Sequence, residues 1–191
     1  METFLWPGCE STQGETKVAV LVPGAGYKVE SPLLYWPAEQ LRARAWQVQA
    51  IRWTDDDEPG DDPHGFAARA VQQAFAEFPH AEHRLIVAKS FGTFCIPWAE
   101  AAQVPAIWLT PILTDDVIRR TLAETSKPDL LIGGSKDKFW ATAAPSETTP
   151  TFVDILDANH SLEVPNDWRA SLAAHVQVFT AIERFLTSRL V

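Results

Sequence analysis

Short apolar runs alternate with longer amphipathic stretches along this chain. The runs are 17–22 (KVAVLV), 47–53 (QVQAIRW), 84–88 (RLIVA), 105–109 (PAIWL), 129–133 (DLLIG) and 151–156 (TFVDIL). Their near-continuous apolarity and β-branched content predict strands covered on both faces. Between them, apolar side chains recur at helical spacing. In 64–78, Ala67, Ala70, Val71, Ala74, Phe75 and Phe78 form one stripe. In 168–189, Trp168, Leu172, Val176, Phe179, Ile182 and Leu186 form another. Ser31-Pro32 has the form of an N-cap followed by proline at the first helical position, opening a helix to about Ala45. Pro37 would kink or restart that helix. Phe4–Trp6 predicts an antiparallel edge strand. The alternation predicts an α/β fold: a three-layer, doubly wound, mostly parallel sheet of about six strands. Neither repeat nor linker interrupts the pattern, so residues 1–191 read as one domain.

Charge narrows the function. The formal net charge is −9, and six of the 25 acidic side chains fall in 55–62 (DDDEPGDD), which holds no basic residue. A nucleic-acid-binding surface needs clustered Lys and Arg, so nucleic acid is not an expected partner. The acidic run reads as a solvated, self-repelling loop; it lacks the ordered ligand spacing of a calcium loop. No run approaches the length of a membrane-spanning helix, and the start lacks a basic stretch followed by an apolar one. The expectation is a cytoplasmic protein with no membrane partner. Cys9 and Cys95 make no disulfide framework and read as reduced thiols.

Candidate chemistry collects where strands end. The strand 84–88 runs into Ala88-Lys89-Ser90-Phe91-Gly92, followed by an apolar helix from Thr93 to Ala102. This is nearly the G-x-S-x-G nucleophile elbow, with alanine for the first glycine. Small residues are needed on both sides because the serine sits in a sharp strand-to-helix turn. After the fifth of the six runs comes Gly133-Gly134-Ser135-Lys136-Asp137, and after the sixth Asp157-Ala158-Asn159-His160-Ser161. In an open α/β sheet, loops at the strand C-termini share one edge, so Ser90, Asp137 and His160 can meet. The first run ends in Pro23-Gly24-Ala25-Gly26, whose glycines let backbone N–H groups turn toward the serine.

The chain resembles a small, lidless member of the α/β-hydrolase superfamily, similar to the dienelactone-hydrolase-like and predicted serine hydrolase branches. The resemblance spans roughly residues 17–190 and rests on P-G-A-G at 23–26, A-K-S-F-G at 88–92, G-G-S-K-D at 133–137 and D-A-N-H-S at 157–161. Pro23 and Ala88 depart from the family pattern. It implies Ser90 as nucleophile, His160 as base and Asp137 as the acid that orients it, with backbone N–H groups of Ala25 and Phe91 as the oxyanion hole. The implied activity is hydrolysis of a small carboxylic ester or thioester through an acyl-enzyme. The alternative is a catalytically weak scaffold that binds a ligand or protein partner.

Each role has a rival. Asp115 or Asp116 could be the acid instead, and Asp137 could cap a helix at 138–143. His64, His80, His83 and His175 read as solvated or packed, and none makes a metal-ligand spacing. Neither metal nor cofactor is expected. Lys89 reads as pointing away from the serine or into a salt bridge, a catalytic lysine being the lesser alternative. The four residues 110–113 leave no room for a lid, so an open site is expected. Tyr27, Trp36, Ile112 and Trp140 are the substrate-binding candidates, with Leu33, Leu34, Tyr35 and Phe91 as further wall residues. Aromatic walls with few charges favour a small neutral substrate. Oligomeric state is left open.

Overall fold

The apolar runs form the strands of one sheet. In a computed structural model describing residues 1–9, 16–140 and 150–189, that sheet has seven strands. They are β1 (Glu2–Leu5), β2 (Lys17–Val22), β3 (Gln47–Arg52), β4 (His83–Lys89), β5 (Ala106–Leu109), β6 (Leu130–Gly134) and β7 (Thr151–Ile155). The order across the sheet is β1-β3-β2-β4-β5-β6-β7. Every neighbouring pair is parallel except β1 with β3. The edge strand is therefore real but lies slightly earlier than Phe4–Trp6. Trp6 leaves the strand to bury its ring, and its indole N–H donates to Glu39 at 2.8 Å.

Strand alternation divides the core into two layers. On β2, Ala19 and Leu21 face α1 (Pro32–Arg42) and α5 (Trp168–Arg189), while Val18, Val20 and Val22 face the opposite layer. That layer holds α2 (Pro63–Ala76), α3 (Ile96–Ala101) and α4 (Asp116–Glu124). Side chains set the helix starts. Asp62 accepts from the Gly65 N–H at 2.8 Å to cap α2, and Asp115 accepts from Val117 and Ile118 to cap α4. Pro37 neither breaks nor restarts α1. The helix runs through it and stops at Arg42, short of Ala45, which turns out of the helix at φ 57°.

Two helical expectations need correction. The stripe assigned to 168–189 is not the buried face of α5: Trp168, Leu172 and Val176 are exposed, whereas Ala174, Val178, Ile182, Phe185 and Leu186 are buried. The segment after Ser90 is not helical from Thr93. It passes first through a 3₁₀ turn, Ser90–Cys95, and becomes α-helical at Ile96. Residues 110–115 join β5 directly to α4.

Candidate active site

Three loops at the carboxyl edge of the sheet carry the candidate residues. β4 delivers Ser90 at its end with φ 50°, the left-handed conformation that lifts a side chain out of a strand-to-helix turn. Gly92 allows that turn to press on its neighbour strand: a Cβ there would lie 2.6 Å from the Val22 carbonyl oxygen. Ala88, two residues before the serine, is fully buried between Val22 and Trp108 across the sheet, so its methyl group fits. Thr93 ties the turn down from behind. Its hydroxyl donates to the Ser90 carbonyl at 2.6 Å and accepts from the Ile112 N–H at 3.3 Å.

The loops after β6 and β7 are laced together. Lys136 N–H donates to the Ala158 carbonyl at 2.9 Å, and Asp157 N–H donates to the Ser135 hydroxyl at 2.8 Å. The two glycines here have separate tasks. A Cβ on Gly134 would meet the Ala158 carbonyl oxygen at 2.2 Å, and one on Gly133 would enter the Trp140 ring at 2.0 Å. Asn159 shapes the turn that presents His160 by accepting from Ser161 N–H at 2.8 Å and Glu163 N–H at 3.2 Å.

These loops bring Ser90, His160 and Asp137 together. His160 Nε2 lies 2.7 Å from Ser90 Oγ, and His160 Nδ1 lies 2.7 Å from Asp137 Oδ2. The Asp137 carboxylate is fully buried and its other oxygen accepts from the Phe139 N–H at 2.9 Å. A carboxylate only accepts, so Nδ1 carries the imidazole proton and Nε2 is left to accept from the serine hydroxyl. The rival acids stand elsewhere. Asp115 caps α4 and faces His64 at 3.3 Å, and Asp116 pairs with Arg119. Asp137 caps no described helix: residues 138–139 are in a turn, and 141–143 lie outside the described residues.

The 23–26 loop leans on the serine. A Cβ on Gly24 would come within 3.1 Å of Ser90 Cβ, and Gly26 turns the chain at φ 68°. Ala25 is exposed at the tip of this loop. With Phe91, it lines a cleft of about 210 Å³ whose other walls include Trp53, Phe66 and Asp57. Trp53 and Phe91 meet edge to face at 5.8 Å, and Phe66 lies 6.0 Å from Phe91. A larger groove of about 740 Å³ continues past Gly24, Tyr27 and Trp53 toward Asp55. Sequence reasoning missed Trp53 and Phe66. Trp53 follows the end of a parallel strand, where ligands bind in such sheets, and that signal could have found it.

Not every expected wall residue is a wall. Tyr27 borders the groove, and its hydroxyl accepts from the Leu33 N–H at 3.1 Å. Ile112 sits beside the turn through its bond to Thr93. Trp36 is instead half exposed on the outside of α1, with Tyr35 and Phe179 as its ring neighbours. Trp140 is buried beneath Gly133, with Phe152 beside it. It is a core residue that fixes the loop bearing Asp137. Leu33 and Leu34 are likewise fully buried core, and Tyr35 is exposed against Trp6.

Lys89 also differs from expectation. It is 2% exposed and forms no salt bridge among the described residues; Nζ donates to the His160 carbonyl at 3.2 Å and to Thr110 Oγ1 at 3.3 Å. Burial depresses its pKa to about 8, with the Asp137 charge opposing the shift. In the acidic loop, Asp57 accepts from the Met1 amine at 2.7 Å and from the Thr54 N–H at 2.6 Å, which hold its carboxyl below the usual range against the opposing effect of burial. Neither Cys9 nor Cys95 is in a disulfide. Among the described residues, no three His, Cys, Asp or Glu side chains are grouped to hold a metal ion. No helix among them is long and apolar enough to cross a membrane.

No protein-family model and no curated protein matches the sequence. Solved structures do match. An α/β serine hydrolase homologue from Coxiella burnetii superposes with a TM-score of 0.70 at 14% identity, over 97% of this chain and 97% of that one. A lidless α/β serine hydrolase from Xanthomonas campestris gives 0.64 at 17%, over 97% and 86%. The Pyrococcus furiosus esterase Pf2001 gives 0.68 at 13%, over 91% and 83%. At such identities the likeness establishes the fold. It is the α/β-hydrolase fold, with no lid among the described residues.

Proposed function

We propose that this chain is a serine hydrolase that cleaves small carboxylic esters or thioesters through an acyl-enzyme on Ser90. One observation carries the reading: a serine in a left-handed turn, hydrogen-bonded to an imidazole whose far nitrogen meets a buried carboxylate. A free serine hydroxyl is a poor nucleophile at neutral pH and needs such a base. His160 takes the Ser90 proton as Oγ bonds to the substrate carbonyl carbon, and Asp137 stabilises the imidazolium. The carbonyl oxygen becomes an oxyanion, received by the N–H groups of Ala25 and Phe91; losing one donor would cost about 10²–10³ in rate. His160 then protonates the leaving alkoxide or thiolate. Water, deprotonated by His160, attacks the acyl-enzyme and releases the acid with Ser90 restored. No resident metal or cofactor is required.

The cleft supports a neutral substrate. A carbonyl held at Phe91 directs one substituent along aromatic walls, and in the adjoining groove the acids Glu30 and Asp55 are matched by Lys28 and Arg52. A compact uncharged group fits there better than a carboxylate. The test is intact-mass labelling with a fluorophosphonate, wild type beside Ser90→Ala. One adduct on the wild type and none on the variant supports the activated serine. No adduct on a folded wild type refutes it and moves the assignment to a ligand-binding scaffold.

A further inference from the structure

A lysine next to the nucleophile, almost wholly out of solvent and without an ion-pair partner among the described residues, needs a reason to be there. Removing an ammonium from water is costly, and a methionine of similar length would fill the space without that cost. Lys89 is the last residue of β4, and strand alternation puts it on the face of Leu85 and Val87, opposite the layer that receives Ala88. Its ammonium lies 4.5 Å from the Tyr27 ring centroid. Its two oxygen partners come from different loops: Thr110 follows β5, and His160 is in the loop after β7. Neither partner is charged. The nearby negative charge is Asp137, the carboxylate that already binds the His160 ring.

We propose that Lys89 is a positioning residue, an internal clamp whose ammonium holds the His160 backbone in reach of Ser90. His160 lies in a loop beyond an edge strand, a loop held at the His160 ring by Asp137, at its turn by Asn159, at its start by the lacing to the β6 loop and at Ser161 by the His175 ring. The bond from Lys89 ties its main chain to the end of β4, the strand that carries Ser90. Nucleophile and base thus share one anchor, and the separation of the two reacting side chains becomes insensitive to movement of the edge. The ammonium also balances the Asp137 charge in the same enclosure while touching no reacting atom.

The groups facing Lys89 are Asp137, His160 and Tyr27, with Glu163 acting on Tyr27. Burial raises the Tyr27 pKa, so the phenol stays neutral where the lysine titrates. With Lys89 losing its charge near pH 8, the clamp weakens as pH rises through that value. A base that acts when deprotonated gives no such fall, and an alkaline decline that disappears in Lys89→Met belongs to the clamp.

The kinetic part of this inference rests on the hydrolase reading; the clamp itself does not, and it is tested first without substrate. Hydrogen–deuterium exchange is compared at pH 7 in the full-length wild type and Lys89→Met. Amides of 159–163 should exchange about 10-fold faster in the variant, as for loss of one hydrogen bond to a charged group, with the sheet unchanged. Unaltered exchange in that loop overturns the clamp. The second readout is ester turnover per fluorophosphonate-titrated site from pH 6 to 10. Wild type should lose kcat above about pH 8, and Lys89→Met should have a lower kcat, a little-changed KM and no alkaline limb. A variant that keeps the wild-type limb refutes the assignment. If Lys89→Met does not fold, Thr110→Ala decides: with one acceptor gone, the limb should move to lower pH, and an unmoved limb overturns the clamp. A wild type without turnover but with the exchange difference between the proteins counts against the hydrolase reading and for the clamp.

Discussion

Gly92→Ala is the smallest substitution that tests how the site is assembled. A Cβ at this position would lie 2.6 Å from the Val22 oxygen, 2.9 Å from Val22 Cγ1 and 3.0 Å from the Pro23 oxygen. Two of these atoms are main chain in β2 and the loop after it, so no rotamer change relieves them. Ordinary contact begins near 3.5 Å, and the turn and β2 must therefore separate by roughly 1 Å. Overpacking of this kind costs about 1–3 kcal/mol. At about 2–4 °C per kcal/mol for a domain of this size, Tm should fall by roughly 2–12 °C. The functional effect should be larger, because the displaced loop carries Ala25 away from Phe91. A misplacement of ~1 Å can cost about 10² in rate. The assay is thermal melting beside ester turnover per titrated serine. Ala88→Gly serves as control: it removes a well-packed methyl group at about 1 kcal/mol and leaves the loop where it is. If Gly92→Ala keeps both the wild-type Tm and the wild-type rate, the close approach of β2 to the turn is not what shapes the site.

Other expectations follow from single contacts. Asp137→Asn should retain the fold, since an amide oxygen can still accept from Phe139 N–H, while kcat falls by up to about 10⁴ through the wrong imidazole tautomer. Near-wild-type turnover in that variant would move the acid's role to another residue. An ester with a free carboxylate on its acyl group should react several-fold more slowly than its neutral isostere at low salt. The gap should narrow in a salt titration, as screening shortens the reach of the net charge of −9; a gap that salt does not change would place its origin in shape. Asp129 accepts from the Trp108 indole at 2.8 Å and the Ala106 N–H at 3.0 Å, and lies 3.5 Å from the Lys127 ammonium. Asp129→Ala strands the indole and amide N–H groups while Lys127 keeps Glu100 at 3.5 Å and the Val104 carbonyl at 3.0 Å, and urea denaturation should register a loss of about 2–6 kcal/mol, about 1–3 for each unsatisfied donor.

Periodicity and turn chemistry made most of the architecture legible. Six apolar runs became six parallel neighbours, because strands buried on both faces write themselves as continuous Val, Leu and Ile; the edge strand β7 is the exception, with only Ile155 buried. Motif spacing also reached Ser90, Asp137 and His160, since strand ends in such a sheet converge on one edge. The sequence preferred Asp137 with Asp115 and Asp116 as rivals, and only distances show that Asp137 is the one lying against His160, because any loop acid near that edge fits the pattern. Residue type misled for Trp36 and Trp140. An aromatic near a motif is as easily ballast beneath a glycine as a wall above the serine, and Gly133-Gly134 was the available hint of something large packed against the strand. The α5 stripe failed for a related reason. Its apolar positions and its buried positions converge only at Ile182 and Leu186, so the first turns offer Trp168, Leu172 and Val176 to solvent. The partners of Lys89 were invisible, being a carbonyl and a hydroxyl brought from two distant loops.

Backbone strain is unevenly spread over this molecule. Among the described residues, five of the seven non-glycine residues at positive φ are Ser90, Thr110, Asp157, Leu162 and Asn166, all in connections that leave the carboxyl ends of strands. Each such conformation costs about 1–3 kcal/mol. Selection for heat resistance alone would therefore be drawn to that edge: glycine at 110 or 157 would relax the chain there. Thr110 is also an acceptor of the Lys89 ammonium, and the Asp157 carboxylate pairs with Lys136 at 3.8 Å across the two laced loops. The stabilised variants most easily recovered would be those whose edge had gone slack, and melting temperature would then be a poor guide to what the protein can do.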